Sequence, residues 1–158
     1  MAGTTIVAIL GFVLVVLVML WEQGKLPVLR ARGQRSHVRP PLLDGDLSFH
    51  LFISHVWSTG QDQARAIKQL LQQSLPGCRI FLDVDDLEDI SQLEDKVDAS
   101  AAIVVFISAA YFGSRNCMRE LKHSVLRGKQ LILVRETSQS HGAIPLEEAM
   151  AQCPKMLR

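Results

Sequence analysis

Cysteine is scarce in this 158-residue chain: Cys78, Cys117 and Cys153 are the whole complement, and no two of them stand in a CxxC pair. An odd number leaves one unpaired in any disulfide scheme, so reduced thiols in a reducing compartment are expected, serving as small buried apolar side chains. Net charge is nearly absent as well, with 17 bases against 16 acids. What charge there is falls unevenly. Lys25, Arg30, Arg32, Arg35 and Arg39 lie in the first forty residues, where Glu22 is the single acid, and the remainder is mildly acidic. This excludes a nucleic-acid-binding domain, which needs positive charge over a folded face, and points to a local basic patch beside a membrane. No internal repeat or low-complexity tract appears. The length has room for one packed domain and little else.

From Thr5 to Trp21 the chain carries no charge and is almost wholly apolar. Such a run is near the lower limit of the ~17–25 residues that let a helix cross a bilayer, so residues 1–22 are expected to form one transmembrane helix. A cleaved signal peptide would want positive charge before the run and a small-x-small site after it, and the sequence offers neither. Trp21 suits the headgroup layer, and the arginines that follow belong on the cytoplasmic side by the positive-inside rule. The expectation is a single-pass membrane protein with its C-terminal domain in the cytoplasm. Residues 23–47, basic and holding Pro27, Pro40 and Pro41, read as an irregular juxtamembrane linker in contact with solvent or anionic lipid.

From residue 48 to 158 short apolar runs alternate with helical stretches, the signature of a parallel sheet with crossover helices. Strands are predicted at Phe49–Ser54, Arg79–Val84, Ala101–Ser108 and Gln130–Arg135, and their near-continuous hydrophobicity implies cover on both faces. Ala64, Ile67, Leu70, Leu71 and Leu75 recur at helical spacing before Pro76-Gly77. A second helix is signalled by Ser91 and Glu94 as a capping box with Ile90, Leu93 and Val97 inward. A third runs from about Ser114 to Leu126, with Cys117, Met118, Leu121 and Val125 on one arc, and Pro145 opens a short helix that ends before Pro154. The fold class is α/β, a doubly wound flavodoxin-like parallel sheet. A fifth strand is not legible, so either the sheet is small or the chain stops before the domain is complete.

In an open parallel sheet ligands bind beyond the carboxyl ends of the strands, where strand order reverses. Four loops converge there, beginning at His55, Asp83, Ser108 and Glu136. The second holds Asp83, Asp85, Asp86, Glu88 and Asp89 and no base; its acids are adjacent and lack the glycine-kinked alternation of a calcium loop, so it reads as a solvated or protein-docking loop and no metal site is expected. On the third helix, a wheel of ~100° per residue sets Glu120 about 60° outside the apolar arc, at the rim of the buried face. A carboxylate there would face the cleft partly desolvated, the usual setting of a functional acid, although a first-turn Glu is also a favourable helix-dipole charge.

The segments HLFISHVWSTG, FLDVDDLEDISQLEDKV and SAAYFGSRNCMREL resemble the successive boxes of a TIR (Toll/interleukin-1 receptor) domain, the third by the spacing of Ser108, Tyr111, Ser114, Cys117, Glu120 and Leu121 seen in plant-type members. Asn116 stands where plant-type domains have tryptophan, and His55, Val56 and Trp57 replace the usual aromatic-basic pair. The resemblance implies a signalling domain of the NAD-cleaving type with Glu120 as the catalytic carboxylate. It implies NAD as substrate, with no separate cofactor, and other TIR domains as partners in a homo-oligomer. Substrate contacts would come from His55, Trp57, Asp83, Tyr111, Ser114 and Asn116, with Trp57 or Tyr111 stacking on a ring. The alternative is a catalytically silent adaptor that docks other TIR domains through the acidic loop.

Overall fold

The computed structural model describes residues 13–15, 17, 28–33, 36–82 and 92–157. Within the chain, Met1–Val38 and Arg39–Arg158 form separate compact units. In the first, Val13–Val15 and Leu17 are helical with exposed side chains, and Arg30 makes an isolated antiparallel bridge to His37. The expected transmembrane segment otherwise lies outside the described residues, among which no helix is long and apolar enough to cross a membrane. Residues 39–47, grouped with the linker by composition, fall in the second unit.

The second unit is built on a four-stranded parallel sheet of β1 (Phe49–Ser54), β2 (Ile80–Leu82), β3 (Ser100–Ile107) and β4 (Gln130–Arg135), in the order β2-β1-β3-β4. Leu51 faces Ile80 on one side and Ala102 on the other, so β1 and β3 are the central strands. Side chains alternate across the pleat. Phe52, Phe81, Ile103 and Val105 therefore enter one core layer, and Ile53, Ile80, Leu82 and Val104 the opposite one. The first layer is closed by Leu93 and Val97 of α2 (Leu93–Asp98), Cys117 and Leu121 of α3 (Arg115–Leu126) and Ala149 of α4 (Leu146–Gln152). The second layer is closed by α1 (Trp57–Ser74) through Ala64, Ile67 and Leu71. Helix α1 approaches the sheet closely because Gly60 lacks a side chain: a Cβ there would lie 3.0 Å from a ring carbon of buried Phe106.

Several expectations are modified. β4 is not covered on both faces; it is an outer strand, with Ile132 and Leu133 exposed, because the described residues place no further strand beside it. The segment after β4 forms a 3-10 turn (Gln139–His141), α4 and a last 3-10 turn (Lys155–Leu157). Helix α2 is capped by Gln92 without a side-chain bond, and Glu94 pairs with Arg119 through both Nε and Nη2; Ile90 and Ser91, and with Ser91 the expected capping box, lie outside the described residues. Cys78 and Cys117 are buried, Cys153 is half-buried, and all three are free thiols, in keeping with the reading from their number.

Helices α2 and α3 are tied together through Asp98. Arg127 donates to both of its carboxylate oxygens, at 2.7 and 2.8 Å, and His123 Nε2 lies 2.9 Å from Oδ1. The guanidinium hydrogen bonds hold the Asp98 carboxyl down at about 2. Lys129 fastens the same corner, donating to the carbonyls of Asp98 and Ser100 at 2.7 Å.

Candidate functional site

Strand order reverses between β1 and β3, one strand leading outward to β2 and the other to β4, so a crevice is expected beyond Ser54 and Ile107. Three of the four expected loops are described there, and the fourth, with Asp83 and the other clustered acids, lies outside the described residues. The three are fastened to one another. Thr59 Oγ1 lies 2.7 Å from Ser108 Oγ, joining the start of α1 to the end of β3, and Ala109 N–H donates to Gly142 O at 2.9 Å. The loop after β4 is pinned by Glu136, whose Oε1 accepts the N–H groups of Thr137 and Ser138 at 2.7 Å.

Two clefts open on either side of the first turn of α1. One, of about 270 Å³, is lined by His55, Val56, Trp57, Ser58, Ser114 and Asn116. The other, of about 300 Å³, runs from Trp57 to Gln63 and is closed by Ser140, His141 and Gly142. Trp57 and Ser58 belong to both, and Trp57 is half exposed, at 51%. Four of the residues singled out in the sequence, His55, Trp57, Ser114 and Asn116, thus come together around a single cleft. Ser114 also caps α3, its Oγ accepting the Cys117 N–H at 3.4 Å.

Glu120 lies one turn further along α3 than Asn116 and is not among the residues that line this cleft. The helical wheel set it at the rim of the apolar arc; it is instead at the centre of the buried face, 2% exposed. The helix is rotated so that Cys117, Glu120, Leu121 and Ser124 face inward, whereas Val125, expected inside, is 45% exposed. What turns the helix this way is polar. Ser54, the last residue of β1, donates to Glu120 Oε2 at 2.5 Å; the Ser124 hydroxyl, carried inward with it, is satisfied within α3 by the Glu120 carbonyl at 2.7 Å. Cys117 Sγ completes the seam, 3.2 Å from His55 O.

Tyr111 is the residue whose expected role changes. It is fully buried, so its ring is not available to stack on a ligand and Trp57 alone keeps that role. Its hydroxyl lies 2.7 Å from Ser54 Oγ, and its ring meets Phe112 edge to face. Because the Ser54 proton is given to Glu120, the tyrosine must be the donor of the pair. Burial pushes its hydroxyl well above the usual phenol value, with the bond to Ser54 opposing that shift and nearby Cys117 and Glu120 adding to it. Ser54 and Thr59 are site residues the sequence did not single out, their one signal being a place at a strand end and a helix start; Ser108, expected as the start of a site loop, holds Thr59.

The TIR domain family model matches residues 51–152, most of the chain and nearly all of the second unit. The chain belongs to the TIR domain family. Solved structures similar to it include a metazoan TIR-STING receptor from C. gigas, at 18% identity and a TM-score of 0.49, covering 60% of this chain and 33% of that one. The TIR domain of the Toll-related receptor TRR-2 from Hydra magnipapillata is similar at 14% identity and a TM-score of 0.48, covering 63% of this chain and 78% of that one. The chain thus spans about a third of the first of these. No curated protein matches. As a TIR signalling domain it belongs to a class whose members typically interact with other TIR domains.

Proposed function

We propose that this TIR chain is tethered to a membrane by its apolar N-terminal segment and, on self-association, cleaves NAD to nicotinamide and an ADP-ribose product. The observation that carries the catalytic part is the position of Glu120: a carboxylate withdrawn from water at the point where strand order reverses, oriented by Ser54. Burial makes its field stronger than it would be in water.

Such a site suits cleavage of a ribosyl bond whose leaving group is already cationic. The bond from the ribose C1′ to the nicotinamide nitrogen breaks with its electron pair going to nitrogen, so nicotinamide leaves neutral and no general acid is needed. That differs from glycoside hydrolysis, where one carboxyl protonates the leaving oxygen and a second meets the oxocarbenium-like centre. Glu120 would accept from the ribose hydroxyls and stabilise that positive charge, and water adding to C1′ releases a proton. His55, Trp57, Ser114 and Asn116 would hold the substrate, with Trp57 stacking on a ring. Asp83 belongs to the same proposal from the sequence.

Full-length chain, concentrated on vesicles, tests this by nicotinamide release from NAD. Glu120→Gln keeps an oxygen for Ser54 to donate to but removes the charge, so release should fall by about 10²–10³ with the fold intact. Equal release from the variant would remove Glu120 from its role. Resistance of the chain to alkaline extraction from membranes tests the tether.

The second reading is a silent adaptor, and one observation favours it: Glu120 lines neither cleft and already has a hydroxyl partner. No nicotinamide release from folded, clustered chain, together with self-association in cross-linking, would decide for the adaptor.

A further inference from the structure

At the opposite end of the sheet from the NAD site lies a third cleft, of about 280 Å³, at the amino-terminal edge of β1 and β2. Its walls are the segment Arg39–Leu43, His50 near the start of β1, and Pro76, Gly77 and Arg79 before β2. The histidine fixes the geometry. Its Nδ1 accepts the Arg79 backbone N–H at 2.9 Å, so the proton sits on Nε2, which donates to Pro41 O at 3.0 Å. One ring therefore locks the arriving segment to the turn that precedes β2.

The lining combines two features. Arg39 and Arg79 are exposed, no carboxylate lines the cleft, and among the described residues neither arginine has an acidic partner. The same cleft is lined by the apolar segment Pro40 to Leu43, on which Leu42 is 92% exposed. A cleft for a soluble anion has no use for a leucine held in water. Two arginines sharing a cleft with an exposed leucine suit an interface where phosphate lies at the surface and hydrocarbon just below it. The chain upstream agrees in chemistry: Arg30, Arg32 and Arg35 precede the cleft, and Trp21, the end of the apolar run, comes 18 residues before Arg39. Fully extended, a tether of that length reaches at most about 65 Å.

We infer that the cleft formed by Arg39, His50 and Arg79 binds the phosphate of an anionic lipid headgroup, with Leu42 entering the interface beside it. The membrane part rests on the proposed tether. The consequence is orientation: with the amino-terminal sheet edge against the lipid, the clefts around Trp57 face away from it, open to substrate and to neighbouring copies.

The test uses the full chain in nanodiscs of phosphatidylcholine alone or mixed with phosphatidylserine, read by backbone amide exchange at Leu42 and Leu43. Exchange should slow as phosphatidylserine is added. Arg39→Ala or Arg79→Ala should each raise the serine-lipid fraction needed for half of the effect about fivefold. Leu42→Ser should raise it too. No slowing, or slowing that ignores both arginines, overturns the site. Slowing of the same size on phosphatidylcholine discs given inorganic phosphate, unaffected by Leu42→Ser, overturns the lipid as its source. A chain that leaves phosphatidylcholine discs overturns the tether only. Its capture by serine-containing discs then reads the cleft directly: capture lost in the arginine variants supports it, and no capture overturns it.

Discussion

Ser54 Oγ donates a 2.5 Å hydrogen bond to Glu120 Oε2 while standing 2.7 Å from the Tyr111 hydroxyl, so one buried hydroxyl couples the end of β1 to α3 and to the turn after β3. Ser54→Ala deletes that link and withdraws a hydrogen bond from two buried polar groups at once. The expected cost is about 1–3 kcal/mol, read as a lower denaturant midpoint. Nicotinamide release should fall with it, since the carboxylate loses the group that orients it. A midpoint equal to that of the unaltered chain would show that the bond contributes nothing to stability.

Tyr111 is the single tyrosine of the chain, so its ionisation can be followed by absorbance alone. Its value lies above the ordinary 10.0 because burial disfavours the phenolate. The folded state thus holds the proton more tightly than the unfolded state. The stability this gives is present below pH 10 and is lost as pH rises toward the folded value. Folded protein should show no tyrosinate band at pH 10, and the band should appear together with unfolding at higher pH. In Tyr111→Phe the alkaline fall in stability should flatten.

Asp98 behaves in the opposite sense. Its value is depressed from 3.8 to about 2 by hydrogen bonds from Arg127 and His123. The stability it adds is present above the unfolded value and disappears as pH falls from near 4 toward 2. Asp98→Asn should lower the urea midpoint at neutral pH and reduce the dependence of that midpoint on pH across this window.

Gly60→Ala sets two effects against each other. Alanine favours the helix by about 1 kcal/mol over glycine. Its methyl would sit 3.0 Å from the ring of buried Phe106, and overpacking of this kind costs about 1–3 kcal/mol. The close contact should win, with a lower melting temperature; a rise would mean that the ring gives way freely.

Trp57→Ala removes a half-exposed ring and should lower the melting temperature only modestly, by less than Ser54→Ala does. On the proposed function it raises KM for NAD with kcat less affected, because stacking holds substrate before and during the reaction alike.

The sequence by itself determined the elements. Phe49–Ser54 and Gln130–Arg135 begin and end where their apolar runs do, and Ser114 and Pro145 sit at the starts of α3 and α4 as their chemistry dictates. Hydrophobic runs, caps and prolines act over a few neighbours, so their consequences can be read along the chain. It also brought His55, Trp57, Ser114 and Asn116 to one edge, since each follows a parallel strand at its carboxyl end. Only the tertiary structure decided which way α3 turns. A wheel of apolar residues sets Glu120 at a rim and Val125 inside, but a hydroxyl from β1, 66 positions away in the chain, draws the carboxylate inward and leaves the valine in water. The same holds for Tyr111, whose ring suits stacking until Ser54 claims its hydroxyl, and for the cleft at the far edge, which exists because His50 joins Pro41 to Arg79. Those bonds join separate segments of the chain, and the two made by Ser54 are buried away from water, which no local pattern records.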